Sequence, residues 1–261
     1  MQAEMVKGMP YELAARMTLY RSQKPVIHIS AALAFCCSLC AQTGIRPTLE
    51  FREDKSAVVT LQELQHVIPR ESLAEMDKAN RARLKHQPEQ VIDHLKRAVL
   101  IDPENISARN NLAVCLVESE LASAIAQWEE AIKVNPRKGL LFNNLAIGYV
   151  LAHNLEAAER AARAAVDLDR TTNRPRAVLG LVLYEEHKYN GETLSLLEHA
   201  SVEYPMTHVY AAKVLFDQGE YQKARTHARA YLSSGETEHR KAVSEMLDLI
   251  DQTPTSEPDQ F

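Results

Sequence analysis

The stretch that decides the fold is residues 110–136, which read NNLAVCLVESELASAIAQWEEAIKVNP. Its first four residues, Asn110-Asn111-Leu112-Ala113, return 33 residues later as Asn143-Asn144-Leu145-Ala146. Self-similarity at a period of about 20–50 residues is typical of repeat proteins, in which every repeat is one small supersecondary unit. Residues 110–136 therefore predict one unit of a repeat protein.

Small residues extend this period along the chain. One series is Ala79, Ala113, Ala146, Gly180 and Ala212, a second is Ala98, Ala131, Ala165 and Ala200, and prolines close three units at Pro103, Pro136 and Pro205. A small side chain lets two helices approach to the roughly 8–10 Å of tight packing, and a proline stops a helix. Apolar residues between these positions recur at helical spacing. Each unit is predicted to be a helix-turn-helix hairpin.

This pattern resembles the tetratricopeptide repeat (TPR), a helical hairpin of about 34 residues. The second unit carries the signature most fully, at Leu112-Ala113, Ala124, Trp128, Ala131 and Pro136. The fifth unit has Gly219-Glu220-Tyr221 at the turn between its helices. The resemblance covers residues 72–251. It implies an all-α fold, a right-handed α-solenoid of about five TPR hairpins followed by a closing amphipathic helix over 237–251.

Four units depart from the family pattern. The first has Pro88 at the start of its second helix and is the least typical, as terminal repeats often are. The second lacks one residue in its turn, the third has Arg170 where proline is expected, and the fourth gains a residue near Asn190-Gly191. We expect these departures to shift the register of the hairpins without breaking the repeat.

Composition agrees with a helical protein that avoids nucleic acid. Apolar residues make up 46% of the chain and charged residues 25%, with only 8 glycines and 11 prolines, a mixture that favours helix. The formal net charge is −5 and basic residues occur only as scattered pairs. Because a phosphate backbone repels an acidic protein, we expect no nucleic-acid partner.

The N-terminal region, residues 1–40, resembles a secretory signal. Residues 25–40, PVIHISAALAFCCSLC, carry no formal charge and follow Arg21 and Lys24. The order of basic, apolar and small residues is typical of such signals. Sixteen residues are fewer than the roughly 20 that span a bilayer, so we expect cleavage after Cys40 and no membrane span in the mature chain. Translation from Met17 would give the basic region its usual length.

The leader leaves three locations open. Export to the periplasm is the first prediction. A lipid-anchored envelope protein would use Cys36, Cys37 or Cys40 as its acylated residue, although bulky Phe35 and Leu39 stand where lipoprotein signals have small residues. A cytoplasmic scaffold would keep residues 25–40 as a buried helix. If cleavage follows Cys40, Cys115 is the one cysteine left, and its apolar neighbours predict an inert buried thiol.

Two further segments lie outside the repeats. Residues 41–71 are predicted to be a linker with a possible short strand at 56–60. Residues 252–261 contain Pro254 and Pro258 among polar residues and are predicted to be disordered.

The TPR resemblance implies a concave groove, lined by the first helix of each hairpin, that holds a peptide or helix of a partner protein. Residues one and four positions after each small residue, and some two positions before it, would face this groove. The predicted groove residues are Asn80, Arg83, Asn111, Val114, Val117, Asn144, Ile147, Val150, Leu181, Tyr184, Tyr210, Lys213 and Phe216. Asparagine both donates and accepts, which suits a peptide backbone. The alternative is that Asn111 and Asn144 satisfy helix ends and the apolar residues pack between hairpins.

A basic clamp for carboxylate ends is not predicted. Asn80 and Asn111 match its two asparagines, but Met76, Leu140 and Asn144 stand where bases are expected. The sequence also has no His-Glu-x-x-His pair, glycine-rich phosphate loop or serine elbow. We therefore predict a protein that is not an enzyme and needs no cofactor.

Three histidines, His86, His153 and His187, share the turn position of their units. Successive units lie about 10 Å apart, so these side chains cannot converge on one ion, and no metal is predicted.

Three functional hypotheses remain. The first is an exported adaptor whose groove holds a peptide or helix of an envelope protein. The second is a structural subunit that uses the convex face or the closing helix to join a complex or a homo-oligomer. The third is a cytoplasmic scaffold with an uncleaved N-terminal helix. Substituting a groove residue, for example Ile147→Asp, is expected to abolish partner binding under the first hypothesis and to leave assembly intact under the second.

Overall fold

The computed structural model describes residues 66–253 together with Leu13, Arg16, Met17 and Tyr20. Residues 66–253 contain eleven α-helices and no strand, so the predicted all-α class is confirmed. The predicted signal over 25–40, the strand at 56–60 and most of the tail, from 254 to 261, lie outside the described residues. The helices are α1 (Arg70–Leu84), α2 (Pro88–Ile101), α3 (Ile106–Leu116), α4 (Leu121–Val134), α5 (Gly139–Leu151), α6 (Leu155–Leu168), α7 (Arg174–Glu185), α8 (Gly191–Ala200), α9 (Thr207–Gln218), α10 (Tyr221–Ser233) and α11 (Arg240–Asp251).

The chain divides into two compact units between His187 and Lys188. The described part of the N-terminal unit holds α1 to α7, and each helix packs against the next along the chain. In addition, α5 packs against α7, which brings the first helices of two successive hairpins together. This packing is the arrangement expected of stacked hairpins.

The described part of the C-terminal unit holds α8 to α11, again with each helix packed against the next, and also includes Leu13, Arg16, Met17 and Tyr20. These four residues are helical. The division falls within the fourth predicted hairpin, since α7 belongs to one unit and α8 to the other.

Both series of small residues lie buried, as predicted. Every alanine of the two series has no exposed surface, and Gly180 is also buried. Helix boundaries agree with the proline positions, since α2 ends at Ile101 before Pro103 and α4 ends at Val134 before Pro136. The second helices of the first two hairpins therefore stop where the sequence pattern predicts.

The turns inside the hairpins explain the histidines noted above. His86, His153 and His187 have φ of 54°, 56° and 57°, and Gly219 has φ of 84° at the equivalent place. The backbone N–H of His86 donates to the carbonyl of Arg83 across 2.9 Å, as in a left-handed helix cap. These histidines thus end first helices. The second hairpin, one residue shorter, turns without a left-handed residue.

Three asparagines begin helices by the usual capping bond. The side chain of Asn105 accepts from the N–H of Ala108, that of Asn154 from Ala157, and that of Asn190 from Thr193. Asn190 explains the extra residue of the fourth unit, because it starts α8 at Gly191. Pro88 stands in the first turn of α2, as predicted.

The ends of the repeat region differ slightly from the prediction. The first helix begins at Arg70 instead of near Ser72. The closing helix begins at Arg240, three residues after the predicted start, because Gly235 has φ of 86° and residues 238–239 form a turn. Among the described residues, no helix has the length and apolar character needed to cross a membrane.

Candidate functional site

The predicted groove residues lie on the first helix of each hairpin, on what we call the first-helix face. In the first two hairpins this face is accessible: Val114 is 42% exposed, and Asn80, Arg83, Asn111 and Val117 are half-buried. In the third hairpin Val150 is half-buried, whereas Asn144 is 5% and Ile147 1% exposed. Four further predicted groove residues are buried, namely Leu181, Tyr184, Tyr210 and Phe216, as is Lys213. Accessibility therefore decreases from the first hairpins onward.

Hydrogen bonds link the first helices of three successive hairpins in the N-terminal unit. Nδ2 of Asn144 donates to Oδ1 of Asn110 across 2.9 Å, and the Arg174 guanidinium donates to Oδ1 of Asn144 across 3.1 Å. The indole N–H of Trp128 donates to the same Asn110 oxygen across 3.1 Å. The Asn144 amide, predicted to face a partner, thus joins three hairpins by its bonds to Asn110 and Arg174.

Sequence reasoning missed Asn110 and Asn143 as members of the first-helix face. Asn110 precedes Val114 by four positions and Asn143 precedes Ile147 by four, which is the spacing of one helix face. Asn143 is 1% exposed, and within the described chain neither its Oδ1 nor its Nδ2 has a hydrogen-bond partner. Asn110 accepts a hydrogen bond from Trp128. Asn143 has no such donor, because the third unit has Ala162 at the position of Trp128.

We call the stretch that bears Leu13, Arg16, Met17 and Tyr20 the N-terminal segment. Its Tyr20 lies on the first-helix face of the C-terminal unit. The ring of Tyr20 meets Phe216 edge to face, with centroids 5.2 Å apart and an interplanar angle of 70°. The ammonium of Lys213 lies 5.2 Å from the centre of the Tyr20 ring and 5.7 Å from that of Phe216. At these distances a cation is attracted to an aromatic face. Two predicted groove residues therefore contact Tyr20.

The remaining described residues of the N-terminal segment extend this contact. Leu13 and Met17 are 6% and 4% exposed. The Arg16 guanidinium donates to Oε1 of Gln252 across 3.0 Å, and the Tyr20 hydroxyl donates to the carbonyl of Ala242 across 3.2 Å. These residues belong to the predicted leader, residues 1–40. The signal that could have placed them on a helix is the spacing of Leu13, Met17 and Tyr20, which is that of one helix face.

Tyr20 lies near two carboxylates, those of Glu245 and Asp217, and near the Lys213 ammonium. Burial raises the pKa of Tyr20 well above its ordinary value, and the carboxylates of Glu245 and Asp217 raise the pKa further. The phenol therefore stays neutral and remains a hydrogen-bond donor at physiological pH. Lys213 is neutralised by Asp217, with Nζ and Oδ1 2.7 Å apart.

Two kinds of reactive group are relevant in the described residues, the Cys115 thiol and the side chains that could bind a metal ion. Burial raises the pKa of the Cys115 thiol to about 11, which keeps it protonated and unreactive at neutral pH. Across residues 66–253 and the four N-terminal ones, no group of three or more His, Cys, Asp or Glu side chains is placed to hold a metal ion. The three turn histidines lie in separate hairpins, at the ends of α1, α5 and α7.

Comparison with solved structures identifies the fold that these hairpins form. PilF of Pseudomonas aeruginosa is similar with a TM-score of 0.59 at 20% identity, over 70% of this chain and 87% of PilF. MamA of Desulfovibrio magneticus RS-1, solved from residue 41 to its end, has a TM-score of 0.58 at 12% identity, over 66% of this chain and 100% of the solved MamA chain. YrrB, a TPR protein with an unusual peptide-binding site, has a TM-score of 0.54 at 18% identity, over 66% of this chain and 90% of YrrB.

The chain has the tetratricopeptide-repeat fold. The resemblance inferred from the small-residue series is thereby confirmed. At identities of 20% or less, these similarities concern the TPR fold alone. Neither a scan against protein-family models nor a search of curated proteins found a match. What the TPR hairpins bind has to be argued from their own surface.

Proposed function

We propose that the protein is a non-catalytic TPR scaffold that binds a helix or peptide of a partner protein on its first-helix face. The observation that carries the proposal is the contact of Tyr20 with Phe216 and Lys213. Tyr20 is a helical residue and its ring is held on this face by an aromatic contact and a cation, as a partner side chain would be. A face that accepts a helical segment of its own chain has the chemistry to accept one from another protein.

The accessible part of this face, in the first two hairpins, supports the same proposal. The apolar side chain of Val114 is 42% exposed, and Asn80 and Asn111 are half-buried beside it along the repeat. An apolar contact flanked by amides suits a peptide, because the amides can both donate and accept. YrrB, a TPR protein of similar fold, has a peptide-binding site of its own.

A pair of crosslinking positions tests the proposal. A photo-crosslinking amino acid at Val114 would report partners of the first-helix face, and the same group at Leu100, an exposed residue of α2, serves as a matched control. We expect a discrete crosslinked protein from position 114 alone, in cells that make the full chain. Equal products from both positions, or none from position 114, would contradict the proposal.

Val114→Asp is the matching loss-of-function variant. It places a charge on the accessible face, where we expect it to weaken partner binding without unfolding the hairpin. The substitution suggested by the repeat pattern alone, Ile147→Asp, is unsuitable because Ile147 is 1% exposed. A buried unpaired charge would unfold the hairpin and confound binding with stability.

We also propose export, with residues 25–40 as the signal. The support is the order of basic, apolar and small residues around Lys24 and Cys40. Intact mass after cell fractionation tests it: a mature chain beginning near Ala41 outside the cytoplasm is expected, and a full-length cytosolic chain would overturn it. Cleavage there would remove Tyr20 and leave the first-helix face of the C-terminal unit open.

A further inference from the structure

The contact between the N-terminal segment and the C-terminal unit has the pattern of a recognised helix. Leu13, Met17 and Tyr20 occupy positions i, i+4 and i+7, and Arg16 occupies i+3, so all four lie on one side of a helix. Leu13 and Met17 are almost completely buried. The described residues of the segment therefore share one helix face, as the contacting residues do when an amphipathic helix binds a groove.

The surface that receives them we call the C-terminal seat, which consists of Lys213, Phe216, Ala242 and Gln252. It contacts Arg16 and Tyr20, the polar and aromatic residues of the segment that the structure describes. Phe216 and Lys213 hold the Tyr20 ring, the Ala242 carbonyl accepts from its hydroxyl, and Gln252 accepts from Arg16. Lys213 and Phe216 belong to α9, Ala242 belongs to α11 and Gln252 caps the end of α11, so two helices of the unit hold Arg16 and Tyr20.

Charge restricts what else the seat can hold. Glu245 and Asp217 raise the pKa of Tyr20, so they place negative potential at the position of its hydroxyl. An acidic side chain at that position would be repelled, whereas a neutral donor or a base is favoured. At the hydroxyl position the seat therefore favours a neutral donor such as tyrosine over an acidic side chain.

We infer that the segment bearing Leu13, Arg16, Met17 and Tyr20 is an exchangeable, built-in occupant of the C-terminal seat. The partner of this seat is then a helix with the same residue types at the same spacing: apolar, basic, apolar and tyrosine at i, i+3, i+4 and i+7. This inference rests on the proposed function, and it adds a regulatory step in the uncleaved chain, where the partner and the built-in segment compete for one surface. Cleavage after Cys40 would end that competition by removing the segment.

Tethering gives the built-in segment a large advantage. A linked ligand competes intramolecularly, at an effective concentration that does not change when the protein is diluted. An external helix can bind only those molecules whose seat is open. Its apparent affinity for the intact chain is therefore the intrinsic affinity multiplied by the fraction of molecules with an open seat. Displacement or removal of the segment, including cleavage of residues 1–40, opens the seat.

The test uses full-length chains and a fluorescent peptide with the sequence of residues 9–24. Met17→Asp in the full chain places a charge in the buried contact and opens the seat, and Tyr20→Ala is a second opening variant that removes the ring contact. Val202→Asp is the matched control, because Val202 is an exposed apolar residue of the same unit. We expect both opening variants to bind the peptide at least tenfold tighter than the wild type and the control variant.

Two further measurements locate the binding. Adding Phe216→Leu to Met17→Asp is expected to weaken peptide binding about tenfold, which corresponds to about 1.4 kcal/mol. A peptide with alanine in place of Tyr20 is expected to bind the opened chain at least tenfold more weakly, and this readout does not depend on folding of a damaged seat.

The inference would be overturned if the wild-type and opened chains bound the peptide equally, or if neither bound it. Tight binding of the alanine peptide to the opened chain would overturn it as well. These outcomes leave the proposed function to be decided separately, since crosslinking from Val114 reports the other unit and does not involve Tyr20.

Discussion

The indole ring of Trp128 lies where a methyl group on Gly148 would have to go. A Cβ built on Gly148 would come 2.9 Å from Cζ3 of Trp128 and 3.2 Å from Cγ1 of Ile125. Trp128 belongs to α4 and Gly148 to α5, so this contact joins the second hairpin to the third. Trp128 is also fully buried. The glycine is therefore required by the large aromatic residue of the preceding repeat.

We expect Gly148→Ala to lower the free energy of unfolding by about 1–3 kcal/mol, because overpacking a buried contact forces neighbouring groups to move. Urea unfolding followed by the fluorescence of Trp128 would measure the change. Gly191→Ala is the control, since a Cβ on Gly191 meets no atom within 4 Å and should cost nothing. Wild-type stability for Gly148→Ala would show that the indole can shift without penalty.

Much of the fold could be predicted from the sequence because the same helix-packing contact recurs in successive repeats and leaves a periodic pattern of small residues. Each alanine of the two small-residue series marks a close helix contact, and all of them are buried. Gly148 was not recognised because it occurs in one unit alone, opposite the single tryptophan of the chain. A feature specific to one interface leaves no periodic signal.

Asn110 and Asn143 hold equivalent positions with opposite hydrogen bonding, which leads to a paired prediction. Asn110 accepts from Trp128 and from Asn144. Replacing it with leucine is expected to destabilise the N-terminal unit by about 1–3 kcal/mol, because two buried donors lose their acceptor. Asn143 has no partner among the described residues, so Asn143→Leu should be neutral or stabilising by about 1 kcal/mol.

Thermal or urea unfolding of the two leucine variants provides the comparison. Each is the control of the other, because the side chain removed and the side chain added are the same. Equal destabilisation by both variants would mean that the Asn143 amide makes a bond as important as those of Asn110.

The left-handed turns allow a stabilising prediction. His86 has φ of 54°, a conformation that costs an L-residue about 1–2 kcal/mol and costs glycine almost nothing. Glycine also gains about 0.4–1 kcal/mol of unfolded-state freedom, which opposes the benefit. We therefore expect His86→Gly to raise the free energy of unfolding by about 0.5–1 kcal/mol.

Ser119→Gly in the second hairpin is the contrast for His86→Gly. That turn contains no left-handed residue, so glycine brings only the unfolded-state cost and should destabilise slightly. Urea denaturation of both variants tests the argument, and a gain in stability from Ser119→Gly would contradict it.

The candidate site could be predicted only in part. The repeat resemblance located Lys213 and Phe216 on the first-helix face, and both contact Tyr20 in the structure. It could not reveal what would contact them, because Tyr20 lies about 190 residues earlier in the chain and outside the repeats. The basic and apolar residues around Tyr20 also fit the start of a secretory signal, and this interpretation concealed their helical spacing.

The stability of the C-terminal unit should depend on pH through His208 and His227, whose Nδ1 atoms lie 2.9 Å apart. Burial lowers the pKa of His208 below its ordinary value of 6.5, and the neighbouring His227 lowers it further. Burial also lowers the pKa of His227, against the opposing effect of Glu198. A bond between two imidazoles needs one nitrogen that donates and one that accepts, so both rings cannot be protonated while it persists.

The sign of the effect follows from proton uptake. Below about pH 6.5 the unfolded chain binds protons at these histidines while the folded chain does not, so stability falls as the pH decreases toward the folded pKa values. Above pH 6.5 the stability contributed by the neutral pair is fully present. We therefore expect a lower free energy of unfolding at pH 5.5 than at pH 7.5, measured with urea and far-ultraviolet circular dichroism.

Two variants isolate this pair from other titrating groups. His227→Gln should reduce the difference between pH 7.5 and 5.5, although the lowered pKa of buried His239 leaves part of it. His199→Gln, at an exposed histidine of the same unit, should leave the difference unchanged. If His227→Gln has the same pH dependence as the wild type, protonation of the His208–His227 pair does not control the stability of the C-terminal unit.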